Sequence, residues 1–548
     1  MIAAEDAARY RDALGCAIPV GLPVAFTDPV ARPLEQLVGR YARTHGPFLA
    51  DAPARRFALA SERVHGALAA LEAEERLVRG EFRPDGLERE WCDVEVLRQL
   101  RRRSLAALRR EVEPVEQEAL ARFLPTWHGI PAQRRGLDAL VETLGLLQGA
   151  PLVASTLERD VLPARVLGYR SGDLDDLCTS GDIVWVGAGS LGASDGRLRL
   201  CFRDQLAAMI GGTGGTAGGA EPEPPDGLVH AAIREHLRAH GASFWNQLRG
   251  AAPAGSDTEL LAALWDLVWA GEVTNDSLAP LRAFLSGGRG GRTGGQAAAR
   301  SATRPRGRPR PGRLSAIGPP AGAGRWSLVT PLLEPRPTPT EAAHVTALQL
   351  LERHGVLTRE AVLAEGVPGG FTSVYGVLKV LEERGQVRRG YFVTGLGAAQ
   401  FALPGAVDRL RSVREGPDDP AGVEVGGDAE PPLILATTDP AQPYGAALAW
   451  PESAGRPARA AGSLLVLRAG WPLVWLDRRG HHLVLFPMAT VDTSWTDALA
   501  SLVKDGRLRS LEVRTVDGQP IADSPDVASA LRRVGFADGY RGLVLRGG

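Results

Sequence analysis

Lysine is almost missing from this chain of 548 residues, occurring only at Lys379 and Lys504. A Walker loop cradles phosphates with glycine-rich backbone followed by Lys and then Ser or Thr. Neither Val377-Leu378-Lys379-Val380 nor Val503-Lys504-Asp505 has that form, which excludes a P-loop motor within this chain. Cysteine is also scarce: Cys16, Cys92, Cys178 and Cys201 are far apart, with no C-x-x-C pair. The usual zinc spacings and a disulfide framework are therefore absent, and the thiols are expected to be buried in a reducing cytoplasm. No metal or cofactor is expected. No apolar run approaches the ~18 residues of a membrane span. Residues 1–11 carry acids and alanines instead of a basic, then apolar, leader. The expectation is a cytoplasmic protein with no membrane partner. Net charge is lacking too, since 63 Lys+Arg against 64 Asp+Glu leave −1. Any surface for a polyanion must be local.

At ~150 residues per domain, the length suggests three to four domains. Self-similarity is present: a helix ending in His-Gly recurs at His45-Gly46, His240-Gly241 and His354-Gly355. A second apolar helix with a charged stop follows each, over 68–76, 260–271 and 375–385, and Gly271 and Gly385 lie equally far beyond His240 and His354. Short β-like segments come next in Leu77-Val-Arg-Gly80-Glu-Phe82 and Val387-Arg-Arg-Gly390-Tyr-Phe392-Val393. Helix, short helix, helix and hairpin is the order of a winged helix-turn-helix. Another copy lacks the mark but keeps helices over 137–148, 155–162 and 173–178, then strands joined through Asp195-Gly196, a hairpin signal. Thr338-Pro339-Thr340-Glu341 supplies an N-cap, a proline at the first helical position and a capping-box acid.

The predicted organisation is α+β: tandem winged-helix modules plus a small β-barrel and a C-terminal α/β segment. It runs as a helical lead-in (1–26), winged helix (27–90), helical connector (91–135), winged helix (136–210), linker (211–226), winged-helix-like module (227–285), Arg/Gly/Pro linker (286–324), winged helix (325–414), acidic linker (415–430), β-barrel (431–490) and α/β segment (491–548).

Several unusual blocks occur in order: Glu90-Trp91-Cys92-Asp93, Phe123-Leu-Pro-Thr-Trp127, Gly324-Arg-Trp-Ser327, Gly366-Val-Pro-Gly-Gly-Phe371, Gln400-Phe-Ala-Leu403 and Asp439-Pro-Ala-Gln-Pro-Tyr-Gly445. In these the chain, from about residue 5 to its end, resembles the C-terminal domain of bacterial large helicase-related (Lhr) proteins. The resemblance implies winged-helix modules and a β-barrel, homo-oligomers, and a superfamily 2 helicase core supplied in cis or in trans. It also implies either a stand-alone homologue or a fragment beginning at an internal methionine. In architecture the family is similar to winged-helix glycosylases that unhook interstrand crosslinks with a Gln-x-Gln or Gln-x-Asp pair. No glutamine here has either spacing, so no catalytic glutamine is carried over.

For DNA contact the module after residue 338 has the clearest chemistry. Its third helix would enter the major groove with Thr372, Ser373, Tyr375 and Lys379, and Arg388 and Arg389 would lie at the wing. Phe371, Val374 and Leu378 read as core, and modules of such arrays also serve as protein contacts. Pro305-Arg306-Gly307-Arg308-Pro309 has the form of an AT-hook, with Arg306 and Arg308 for an A·T minor groove. The same run also arises by chance in a linker holding eight arginines between Arg289 and Arg313. Arg98, Arg101, Arg102, Arg103, Arg109 and Arg110 form either a phosphate track, or a solvated face or oligomer contact paired with Glu111, Glu113 and Glu116. Cleavage of a glycosidic bond needs an extruded nucleotide and a carboxylate or amide that positions water. Asp439, near Tyr444 and Trp450, is the catalytic candidate; an Asp-Pro is also an ordinary turn. His481-His482 reads as a surface turn. The function expected is DNA binding and oligomerisation beside a helicase core. The alternatives are a DNA glycosylase acting on uracil or crosslink adducts, and an assembly scaffold without DNA contact.

Overall fold

The computed structural model describes residues 3–83, 89–100, 102–103, 113–210, 224–252, 255–287, 318–397, 399–414 and 431–547. Arg306 and Arg308, with Arg101, Arg109 and Arg110, lie outside the described residues. The chain divides into two compact units, Met1–Glu113 and Pro114–Gly548.

In the first unit, Pro33–Thr44 begins on a proline, where a missing N–H costs nothing. Its Val38 and Ala42 are buried against Val64, Leu68 and Leu71, which recur at helical spacing in Ser61–Ala73. Leu77–Gly80 then pairs antiparallel with Glu90–Asp93. Phe48 exchanges backbone hydrogen bonds of 2.9 and 2.8 Å with Trp91, adding a third partner to the ribbon. Helices followed by an antiparallel ribbon thus make up this unit.

The second unit repeats the plan. Gly136–Leu147 and Ser171–Ser180 precede a hairpin of Ile183–Ser190 with Gly196–Phe202, and Leu152–Val153 lies on its other edge. The Asp-Gly turn is fixed by the buried Asp195 carboxylate, which accepts from Gly196 N at 2.9 Å and from Ser155 Oγ at 2.5 Å.

The next module holds Leu228–His240, Trp245–Ala251 and Asp257–Trp269, the last with a Ser256/Glu259 capping box. Its sheet is completed by Arg325–Leu328, which pairs with both Ser243–Phe244 and Val273–Asn275. Sequence spacing puts this strand at the head of 325–414; it belongs instead to the module before the linker. The reason is burial. Trp326 is fully enclosed, stands edge-on to Trp265 at 5.8 Å, and donates its indole N–H to Gly322 O at 2.9 Å.

Pro339–His354, Arg359–Ala364 and Gly370–Glu383 follow, with a sheet ordered Arg388–Gly390, Gln400–Ala402, Val356–Leu357. Thr338 caps the first helix as its sequence predicts: its Oγ1 accepts from Glu341 N at 3.3 Å, and Glu341 accepts from Thr338 N at 2.8 Å.

Leu433–Ala436, Leu464–Arg468, Trp471–Leu476 and His482–Leu485 pair antiparallel in succession. Thr515–Val516 then joins in parallel, and Gln519–Pro520 forms the outer edge. The six-stranded sheet is open, since no pairing among the described residues joins its first and last strands. The closed β-barrel expected over 431–490 is not shown. Closure needs strands long enough to stagger their register around a ring, and the outer two are dipeptides. Trp495–Lys504 covers this sheet with Trp495, Leu499, Leu502 and Val503, beside a smaller sheet of Ser510–Val513, Leu543–Arg546 and Ala537–Asp538. No helix among the described residues is long and apolar enough to cross a membrane.

Candidate functional site

The Gly370–Glu383 helix is amphipathic by construction. Val374, Leu378 and Leu381 recur at three- and four-residue spacing and are buried with Leu350, Val362 and Phe401. That leaves Thr372, Ser373, Gly376, Lys379 and Val380 on the exposed side. Ser373 Oγ donates to Gly370 O at 2.7 Å, and Lys379 Nζ lies 4.0 Å from Glu383. The exposed wing residues Arg388 and Arg389 sit on the strand beside Gln400–Ala402. Buried Gln400 holds the turn of the wing: its Oε1 accepts from Phe392 N at 2.8 Å and Val393 N at 2.9 Å, and its Nε2 donates to Val393 O at 2.8 Å. The Arg389 guanidinium rests over the half-buried Tyr375 ring, 5.9 Å from its centroid. Helix and wing are thus joined at the Arg389–Tyr375 contact.

Asp439 is elsewhere and is 1% exposed. Its two oxygens accept from Arg165 at 2.6 and 2.8 Å, and Oδ1 also accepts from Ala441 N at 2.8 Å. Arg165, 3% exposed, donates further to Val161 O at 2.9 Å and reaches His128 Nδ1 at 3.2 Å. A guanidinium only donates, so His128 Nδ1 accepts and the proton of the neutral ring is assigned to Nε2. Burial, and next the charge of Arg165, hold His128 well below the usual histidine range. As a catalytic base, Asp439 would need an oxygen facing water or substrate; this carboxylate is sealed against its cation. Tyr444 is also buried, donating its hydroxyl to Gly470 O at 2.8 Å, with Trp450 stacked at 6.3 Å. His481 and His482 bond Glu512 O and Thr515 Oγ1 at 3.0 and 2.6 Å. Among the described residues no cluster of three or more His, Cys, Asp or Glu could hold a metal.

The sequence pattern does not anticipate an open cleft of about 450 Å³ lined by Trp127, His128, Arg134, Glu142, Arg165 and Arg409. Trp127 donates its indole N–H to Glu352 O at 2.7 Å, and the Arg409 guanidinium lies 5.4 Å from its ring centroid. Gly355 makes the approach possible. It has φ +64°, and a Cβ there would come within 2.7 Å of Phe123 Cζ and 3.0 Å of Trp127 Cε2. The available signal was the pairing of the Phe123-to-Trp127 block with the His354-Gly355 mark, which nothing local connects. Next to that mark, buried Arg353 ion-pairs with Glu365, and His354 Nε2 meets the same carboxylate at 2.6 Å. Burial raises the Glu365 carboxyl, but Arg353 and His354 outweigh it and bring it down to about 2.

Comparison with known proteins identifies residues 115–203 and 336–422 as matches to the third and fourth "Large helicase-related protein, winged-helix domain" families. A Mycolicibacterium smegmatis protein named "Lhr helicase/ probable uracil glycosylase" is 43% identical over 99% of this chain and 36% of its own length. An Escherichia coli K12 protein named "Lhr helicase/uracil glycosylase" is 33% identical over 98% of this chain and 35% of its own. The chain therefore spans about a third of the length of these relatives. Among solved structures, the Streptomyces sahachiroi DNA glycosylase AlkZ is similar at 13% identity and a TM-score of 0.39, covering 68% of this chain and 92% of that one.

Proposed function

For a chain that carries winged-helix domains of the large helicase-related proteins, we propose a DNA-binding region of a repair protein, working with a superfamily 2 helicase core and assembling into homo-oligomers. The observation that carries this reading is the joint surface of Thr372, Ser373, Tyr375, Lys379, Arg388 and Arg389. Short hydroxyls on a helix reach base edges, while arginines beside it take phosphates. The test is a titration of labelled duplex and single strands at several salt concentrations. Replacing Arg388 and Arg389 with Ala should weaken binding and flatten the slope of log affinity against log salt by about one for each phosphate the protein no longer neutralises. Superimposable isotherms across the salt series would reject the reading.

A second reading, a glycosylase excising uracil or crosslink adducts, is supported by the cleft at Trp127. Its volume lies in the range of small-molecule sites, and its aromatic wall suits an extruded base. In this reading Asp439 does not touch the base; it positions Arg165, which lines the cleft. Incubation with uracil-containing DNA followed by alkali should break strands with the native chain and not with Trp127→Ala. Intact strands with both proteins would remove this reading.

A further inference from the structure

Arg199 stands within the Gly196–Phe202 strand, half-buried, and among the described residues it has no hydrogen-bond acceptor and no carboxylate partner. That is costly, because a desolvated guanidinium normally finds an anion. It opens on a cleft of about 50 Å³ shared with Gln148, Arg353, Glu365 and the 366–368 turn. A water needs roughly 10–15 Å³ of such space, so a larger group fits. No ion pair joins it to the nearby Glu365, whose carboxylate is held by Arg353 and His354. Burial lowers the Arg199 pKa, and the opposing charge of Glu365 does not restore it. Gln148 Oε1 in the same cleft is buried without a donor. A hydrated phosphodiester meets both needs: its oxygens accept from Arg199, and a water it carries donates to Gln148.

The place of the cleft fixes the source of that anion. Its wall at Gly366, Val367 and Pro368 leads directly into the N-terminal end of Gly370–Glu383, which puts the cleft at the start of that helix. We propose that Arg199 binds a phosphodiester of the nucleic acid engaged by the 370–383 helix, so that the interface spans the 115–203 and 336–422 modules. This rests on the DNA-binding reading above.

The experiment compares the native chain with Arg199→Met, Arg199→Lys and the Arg388→Ala/Arg389→Ala pair, each as the full chain. Duplex binding is measured across salt, and melting is followed with and without inorganic phosphate. Arg199→Met should bind about ten-fold more weakly, with the salt slope reduced by about one. Arg199→Lys should fall between it and the native chain, because an ammonium cannot form the bidentate contact. Arg199→Met should melt no lower than the native chain, since the unpaired charge is gone, which separates impaired binding from impaired folding. Native affinity and slope in Arg199→Met, with weakened binding in the wing pair, would overturn the inference and leave the DNA-binding reading standing. Unchanged binding in both variants would end the reading and the inference together. Stabilisation by inorganic phosphate that disappears in Arg199→Met while DNA binding is unaltered would make a free anion the ligand and also overturn the assignment.

Discussion

Asp439 and Arg165 sit in the same hydrogen-bonded cluster as neutral His128, and the cluster's stability depends on the two charges remaining together. Removing one partner of a buried pair strands the other, at a cost of about 3–5 kcal/mol. Asp439→Ala should therefore lower the urea midpoint sharply, whereas Asp439→Leu combined with Arg165→Met should recover much of the loss. A catalytic carboxylate would behave differently, with activity falling and the midpoint holding. Glu365 gives a pH signature. Its carboxyl is held near 2 in the folded chain, against about 4.3 when unfolded. The stability it contributes is complete above the unfolded value and is lost as pH falls from there towards 2, on the order of 3 kcal/mol in all. His128 acts in the same direction from a higher pH: below about 6.5 the unfolded chain takes a proton that the buried ring refuses. Urea titrations between pH 7 and 3 should show falling stability, and Glu365→Gln should flatten the part below about pH 5.

At the scale of elements, the helix starting at Thr338 was fully legible, because a capping box is a local device read from adjacent residues. Thr338→Ala should cost about 1 kcal/mol, seen as a small shift of the urea midpoint. Gly355 was legible only as a helix stop. Its second role, leaving room for Phe123 and Trp127, depends on residues far away in sequence. Gly355→Ala should cost more than the roughly 1–2 kcal/mol of an ordinary left-handed position, because the added methyl also meets an aromatic ring. The Arg325–Leu328 strand makes the same point in reverse. A chain cut after residue 287 loses Trp326 from between Ser243–Phe244 and Val273–Asn275. Tryptophan emission from the module over 228–287 should then shift to the red, and a chain cut after 333 should restore the buried spectrum.

For the whole molecule, the missing Walker loop predicts that the purified chain releases no phosphate from ATP, with or without DNA, in a colorimetric assay. Steady ATP turnover would contradict the assignment of the motor to another part of the system. In the function proposed above, the chain's own work lies in holding nucleic acid across its winged-helix modules. The helices, the hairpin at Asp195-Gly196 and the exposed face of Thr372, Ser373 and Lys379 followed from patterns within a few residues, because caps, turns and amphipathic spacing act locally. What needed the folded chain was every contact between distant segments: Asp439 sealed on Arg165, Trp326 returning across a linker to finish a sheet, Arg199 left without an anion beside the 366–368 turn, and a six-stranded sheet that stays open. A sequence states which groups carry charge or bulk, whereas their partners depend on how separate modules pack, and packing is a property of the surfaces brought together.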